Sequence, residues 1–203
     1  MNGLKFDLFK QYKVVVFDLD NTLYDEKKYL FSVYKEIGKY VSKKTKGCAE
    51  KYSDFLINEF NMCGRSKLFN KFLIYFDLTE IIYLEDLLNI LRNHVVPLFM
   101  FNKVNELINF LIDNDIGIYI LTNGNIEQQK NKIKNLHIQI KFPNIKIVYA
   151  NAYEPKPSPY CLNKIRLECC VDCNAILMIG DSNVDFLAAQ KANIDFYNIQ
   201  NIL

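Results

Sequence analysis

Two carboxylates stand two positions apart, Asp18 and Asp20, directly after the apolar run Val14–Phe17 in VVVFDLDNTLY. Residues so spaced on an extended chain point to the same side, and like charges that close repel. The arrangement is costly unless a cation, a shared proton or a reaction makes use of it. Three further clusters carry compatible chemistry: Thr122, Asn123, Gly124 and Asn125; Glu154-Pro155-Lys156-Pro157-Ser158-Pro159; and Gly180, Asp181, Ser182, Asn183 and Asp185. The carboxylates of Asp18, Asp20, Asp181 and Asp185 suit a hard divalent cation. Mg²⁺ is the usual choice where a few carboxylates meet a substrate phosphate. The Thr122 hydroxyl and the Asn123 amide, beside the flexible Gly124, offer donors to an anion. Lys156 adds a positive charge held stiffly between two prolines. A metal, an anion cradle and a lysine together describe a phosphoryl site. No serine, cysteine or histidine is placed to attack, which leaves Asp18 as the nucleophile, since carboxylates form aspartyl-phosphates. Asp20 then protonates the leaving oxygen and afterwards acts as base toward the hydrolytic water.

These residues need elements that bring them together. Short apolar runs at Val14–Phe17, Ile116–Leu121, Ile145–Tyr149 and Ile176–Ile179, with a weaker one at Phe196–Ile199, read as buried strands. Helical patterns lie between them: Val104 to Leu111, Ile126 to Leu136, Pro159 to Leu167 and Val184 to Ala192. Strands alternating with helices of that length imply an α/β fold with a doubly wound parallel sheet. Ligands bind such sheets at the carboxyl ends of the strands. The four polar clusters, each following a strand, therefore meet on one rim.

One stretch breaks the alternation. Residues 25–96 read as helical throughout, an insertion of roughly 70 residues and large enough for a subdomain of its own. The core then comprises residues 1–24 and 97–203. Within the insertion, Leu30, Val33, Tyr34, Ile37, Tyr40 and Val41 form one amphipathic face, and Leu68, Phe69, Phe72, Leu73 and Phe76 another. Ile81 to Leu91 repeats the theme, with Thr79 as its N-cap. Lys43, Lys44 and Lys46 gather at a helix end, where they favour the dipole. Tyr24 and Tyr29, near the junction, read as core aromatic residues more than as substrate contacts. His94 and His137 are assigned no chemistry.

Composition narrows the classes. At 203 residues with 50% hydrophobic residues, the chain can bury one sizeable core. A net charge of +2 implies no strong field for a nucleic acid polymer or an anionic membrane. The apolar runs are too short to span a bilayer, and MNGLKFDLFKQY lacks the layout of a signal peptide. A cytoplasmic protein is expected. The cluster Cys169, Cys170 and Cys173 lacks the further soft ligands of a metal site and is read as reduced thiols.

DLDNTL (Asp18–Leu23), LTNG (Leu121–Gly124), KPSP (Lys156–Pro159) and GDSNVD (Gly180–Asp185) resemble, in order and spacing, the four motifs of the haloacid dehalogenase-like hydrolase superfamily. The resemblance runs from Val14 onward. It implies a Rossmann-like core with Mg²⁺ held by the carboxylates of Asp18 and Asp181 and the backbone carbonyl of Asp20, Asp185 supporting the metal through water or a hydrogen bond. It also implies that the helical insertion is a C1-type cap that closes over the active site and carries much of the substrate choice. Family members that cleave carbon–halogen or phosphonate bonds lack the second aspartate. Its presence at Asp20 implies a phosphate monoester hydrolase. Asn193 stands where relatives often have glycine and tolerates the same left-handed turn. The reading is a Mg²⁺-dependent phosphatase for a small phosphorylated metabolite, and sugar, polyol, amino-alcohol and nucleotide phosphates all remain compatible with it. A phosphomutase using the same aspartates is the alternative, and a non-catalytic binding protein on this scaffold a more distant one.

Overall fold

A computed structural model describes residues 6–203. Five strands, β1 (Val14–Phe17), β2 (Gly117–Thr122), β3 (Lys146–Tyr149), β4 (Ile176–Gly180) and β5 (Asp195–Asn198), form one sheet in the order β3-β2-β1-β4-β5. Every pairing is parallel. Every residue of the central β1 and of β4 is buried, which is why both read as unbroken apolar runs. The edge strands β3 and β5 are only half-buried and carry the weaker patterns. Ile199, expected to close the last strand, is fully buried but starts a short 3-10 turn instead. The Asn198 side chain, accepting from the Gln200 amide at 2.9 Å, turns the chain there.

The helices are α1 (Glu26–Thr45), α2 (Ala49–Cys63), α3 (Leu68–Tyr75), α4 (Leu84–Asn93), α5 (Asn102–Asp113), α6 (Ile126–Asn135), the single turn α7 (Ile138–Lys141), α8 (Tyr160–Cys169) and α9 (Asn183–Ala192). The chain divides into two compact units, Met1–Asp25 with Pro97–Leu203, and Glu26–Val96. In the first, Val14, Val16, Leu121 and Met178 of the sheet pack with Leu162 and Ile165 of α8 and with Ala188 and Ala189 of α9. Ser182 and Asp185 close a reciprocal capping box at the start of α9. Asn193 ends that helix in the left-handed conformation, φ 60°, as its residue type allows.

The second unit is all helical. α1 buries Leu30, Val33, Tyr34, Ile37 and Val41, and Tyr40 at the edge of that face donates its hydroxyl to Asp86 at 2.7 Å. α3 buries Leu68, Phe69, Phe72 and Leu73. Lys43 and Lys44 lie in the last turn of α1, and Lys46 follows with φ 58°. One expectation is corrected: Thr79 does not cap a helix. The amides of Ile81 and Ile82 both bond back to the Leu78 carbonyl, so residues 78–82 form a turn that buries Leu78 and Ile82. The helix starts at Leu84, where Glu85 and Asp86 supply negative charge to the first turn. Among the described residues no helix is long and apolar enough to cross a membrane.

At Gly38 the backbone of α1 comes close to the start of α2. A Cβ built there would lie 2.5 Å from the Ala49 carbonyl oxygen and 3.2 Å from the Ser53 Cβ. Helix propensity alone favours alanine over glycine by about 1 kcal/mol. Packing reverses that sign, so Gly38→Ala is expected to destabilise the protein by about 1–3 kcal/mol in urea unfolding. A stabilised variant would contradict the packing account.

Candidate active site

The register of the sheet sets the site. Phe17 of β1 stands opposite Ile120 of β2 and Ile179 of β4, and the Asp18 amide donates to the Ile179 carbonyl at 2.9 Å. Asp18 therefore leaves the sheet where β4 ends, one residue before Asp181. The chain builds β2 and β3 on one side of β1 and then crosses to place β4 and β5 on the other. Loops diverge at such a reversal and open a crevice at the carboxyl ends. The carboxylates of Asp18, Asp181 and Asp185 converge there, with one ligand oxygen of each within 4.8 Å of the others. Gly180 makes room for this. A Cβ at that position would lie 2.6 Å from the Asp185 side chain.

One buried cation faces these acids. Lys156 is 5% exposed. Its Nζ donates to Asp18 Oδ1 at 2.5 Å, Asp185 Oδ1 at 2.6 Å and the Leu121 carbonyl at 3.0 Å. The other oxygen of Asp185 accepts from the Ser182 hydroxyl at 2.6 Å and its amide at 3.2 Å. Asn123 clamps the Lys156 peptide from both ends, accepting its N–H at 2.9 Å and donating to its carbonyl at 2.8 Å. The sequence points to the Asn123 backbone amide alone; the clamp made by its side chain emerges only in the fold. The Thr122 hydroxyl accepts from Gln129 Nε2 at 2.6 Å. The Gly124 amide donates to Asn151 Oδ1 at 2.7 Å, and Gly124 holds φ +114°, a conformation strained for any residue with a Cβ.

Charge is unbalanced at this cluster. Burial pushes the Asp18 carboxyl up to about 7, with Asp185 and Asp20 adding to the rise and Lys156 opposing it. Asp181 is raised by burial and by Asp185. Burial works against the charge of Lys156, but Asp18 and Asp185 outweigh it and hold the ammonium above its ordinary range. The pair pulls in opposite senses: the ion pair secures the lysine, while crowding disfavours the charge on Asp18. Three carboxylates against one ammonium leave an excess of negative charge on oxygen donors, a donor set that fits a hard divalent cation.

The sequence profile described as haloacid dehalogenase-like hydrolase matches residues 15–199. The chain belongs to this hydrolase family. Solved structures of similar fold include a HAD-superfamily hydrolase of subfamily IA, variant 1, from Geobacter sulfurreducens, 18% identical with TM-score 0.65 over 92% of this chain and 86% of that one. A HAD phosphatase from Thermococcus onnurineus is 20% identical, with TM-score 0.59 over 91% and 84%. A Thermotoga maritima protein provisionally described as a β-phosphoglucomutase is 16% identical, with TM-score 0.69 over 92% and 84%. At such identities the likeness concerns the fold. Among curated proteins no sequence match is found.

Asp20 has surroundings unlike those of Asp18. Lys132 Nζ donates to both its oxygens, at 2.8 and 2.9 Å. Gln129 Nε2 donates at 2.9 Å and the Tyr24 hydroxyl at 2.6 Å. Burial pushes the Asp20 carboxyl up, but Lys132, Tyr24 and Gln129 together outweigh it and hold the group below the ordinary carboxylate range. Lys132 and Gln129 are not singled out by the sequence; Tyr24 is buried, as a core aromatic residue is expected to be, and in addition its hydroxyl reaches Asp20. Gln129 and Lys132 are among the buried positions of α6, beside Ile133, which the polar sequence of that helix does not announce. Tyr29, the other aromatic residue of the junction, is buried and donates to the Leu91 carbonyl at 2.5 Å.

The raised carboxyl of Asp18 gives a stability prediction. With a folded value of about 7 against 3.8 for an ordinary carboxyl, the folded protein binds the extra proton between those limits. The site's contribution to stability is thus complete below pH 3.8 and lost as pH rises through about 7. Replacing the acid by an amide removes that loss. Metal-free Asp18→Asn is expected to melt about 3 °C above the parent protein near pH 8, with the gap closing toward pH 4, in thermal scans in chelator. A lower midpoint for the variant near pH 8 would contradict this reading of the charge cluster.

Proposed function

We propose that the protein is a Mg²⁺-dependent phosphatase that hydrolyses a small phosphate monoester through an aspartyl-phosphate on Asp18. The observation that carries the reading is the contact of Asp18 Oδ1 with Lys156 Nζ at 2.5 Å inside the cluster shared with Asp181 and Asp185. It couples a carboxylate nucleophile to the charge needed to receive a phosphate. The carboxylates of Asp18 and Asp181 fit Mg²⁺ as ligands, with Asp20 lending its carbonyl and Asp185, its oxygens taken by Lys156 and Ser182, supporting from behind. When bound, the ion supplies neutralisation of the phosphoryl oxygens.

The chain's own groups divide the remaining work. Lys156, the Thr122 hydroxyl and the Asn123 amide bind the phosphate and compensate its charge. An Asp18 oxygen forms a bond to phosphorus as the ester P–O bond breaks, and the Asp20 proton passes to the departing ester oxygen, releasing the alcohol. Water then attacks the phosphoryl group, Asp20 takes its proton, the bond to Asp18 breaks and inorganic phosphate leaves. The donors that hold Asp20 low favour its carboxylate form, the state needed for the base half of this cycle. A dianionic phosphate arriving beside it raises its proton affinity and favours the acid half.

The helical unit, Glu26–Val96, is assigned as the family's C1-type cap, with substrate selection among sugar, polyol, amino-alcohol and nucleotide monoesters as its task. A cytoplasmic location accords with six free cysteines. The test is phosphate release over a panel of such monoesters with Mg²⁺. At least one ester is expected to yield free phosphate, with Asp18→Asn reduced by roughly 10³-fold or more. Isomerised sugar phosphate without free phosphate would indicate a mutase instead. Equal rates for the two proteins would contradict the assignment of Asp18.

A further inference from the structure

We propose that Lys132 is a positioning residue for Asp20, working with Gln129 to hold the proton-donating carboxyl in register with the Thr122 loop. The proposal rests on the phosphatase reading above. Lys132 lies on α6, the helix that follows the Thr122 loop, and is 1% exposed. An ammonium so buried requires an anionic partner, and here one ammonium straddles both oxygens of Asp20, at 2.8 and 2.9 Å. A two-point contact fixes the plane of the carboxylate as well as its place. The Tyr24 hydroxyl, 2.6 Å from Oδ1, closes the same oxygen from another side.

Gln129 adds a strut that a plain ion pair would lack. Its Nε2 donates both to Asp20 Oδ2, at 2.9 Å, and to Thr122 Oγ1, at 2.6 Å. Through this amide the acid that follows β1 and the hydroxyl that ends β2 hold a fixed separation. Lys156 and Lys132, the buried lysines among the described residues, thus take different aspartates of this pair: Lys156 contacts Asp18 and Lys132 contacts Asp20. A buried ion pair gives little net stability over apolar side chains of the same size, so stability alone does not call for a lysine at this position. Orientation does. Proton delivery to a departing oxygen depends on the donor being in place when the P–O bond stretches, and misplacement far smaller than a bond rotation is costly in rate.

The distinguishing readout is dependence on the leaving group. p-Nitrophenolate departs with little help from a proton, whereas an alkoxide needs one. The experiment compares kcat/KM, which reports transfer to Asp18, for p-nitrophenyl phosphate and a simple alkyl phosphate. It uses the full chain with Mg²⁺, and rates are normalised to folded protein. Lys132→Met is expected to lose at least roughly tenfold more activity on the alkyl ester than on the aryl ester. Lys132→Arg, which keeps the charge, should lie between Met and the parent. Gln129→Leu should tilt the ratio in the same direction, and it carries the comparison if Lys132→Met does not fold. Equal losses on the two esters for the folded variants would overturn the positioning role and leave a structural one. The alkyl ester is one that the panel above shows to be turned over, and a parent protein that releases phosphate from no ester of that panel would overturn the phosphatase reading and this inference with it.

Discussion

Asp18, Asp181 and Asp185 crowd around the single ammonium of Lys156. That imbalance is the constraint on which the rest of the site depends. Lys156 could not hold two acids unless its own backbone were fixed, and Asn123 fixes it by gripping both its N–H and its carbonyl. Asp185 could not approach unless the strand ended in a residue without a side chain, which Gly180 supplies. Its second oxygen is bound into the cap of α9, so the same carboxylate starts a helix and faces the lysine. The excess negative charge left over is a cost in the isolated protein and a binding force for a cation.

The sheet makes this crowding rigid. β1 and β4 are paired in register and wholly buried, so the loops that follow them have little freedom in where they begin. The reversal of strand order beside β1 brings together residues far apart in sequence: Lys156 contacts Asp18 across 138 positions and Asp185 across 29. A doubly wound sheet therefore does for charge what a short loop could not, holding like charges together against their repulsion.

Much of this was legible from residue types. Strands β1 and β4 were readable because burial on both faces leaves an unbroken apolar run, and the acids after them because carboxylates are out of place beside such runs. The four clusters fell into place because parallel topology puts every strand's carboxyl end on one rim. What escaped notice were polar groups on elements that normally carry none inward. Lys132 and Gln129 lie on a helix rich in polar residues, where a lysine reads as solvated, and only tertiary packing turns them toward Asp20. The Asn123 side chain was hidden for another reason, since an asparagine after a strand reads as a turn residue whatever it grips. Thr79 misled because a capping type was present without the helix, the buried Leu78 and Ile82 having closed a turn first.

The two aspartates that open the site thus end up in contrasting settings, Asp18 raised toward neutrality by burial among acids and Asp20 held low by donors. In the proposed mechanism covalent chemistry falls to the first and proton traffic to the second. Rapid quenching in acid during turnover, followed by mass mapping of the peptides, tests that division most directly. One acid-stable, hydroxylamine-sensitive phosphoryl group is expected on the peptide containing Asp18, accumulating and decaying with turnover. A protein that releases phosphate with no phosphorylated peptide at any quench time, or with the group on another residue, would contradict it.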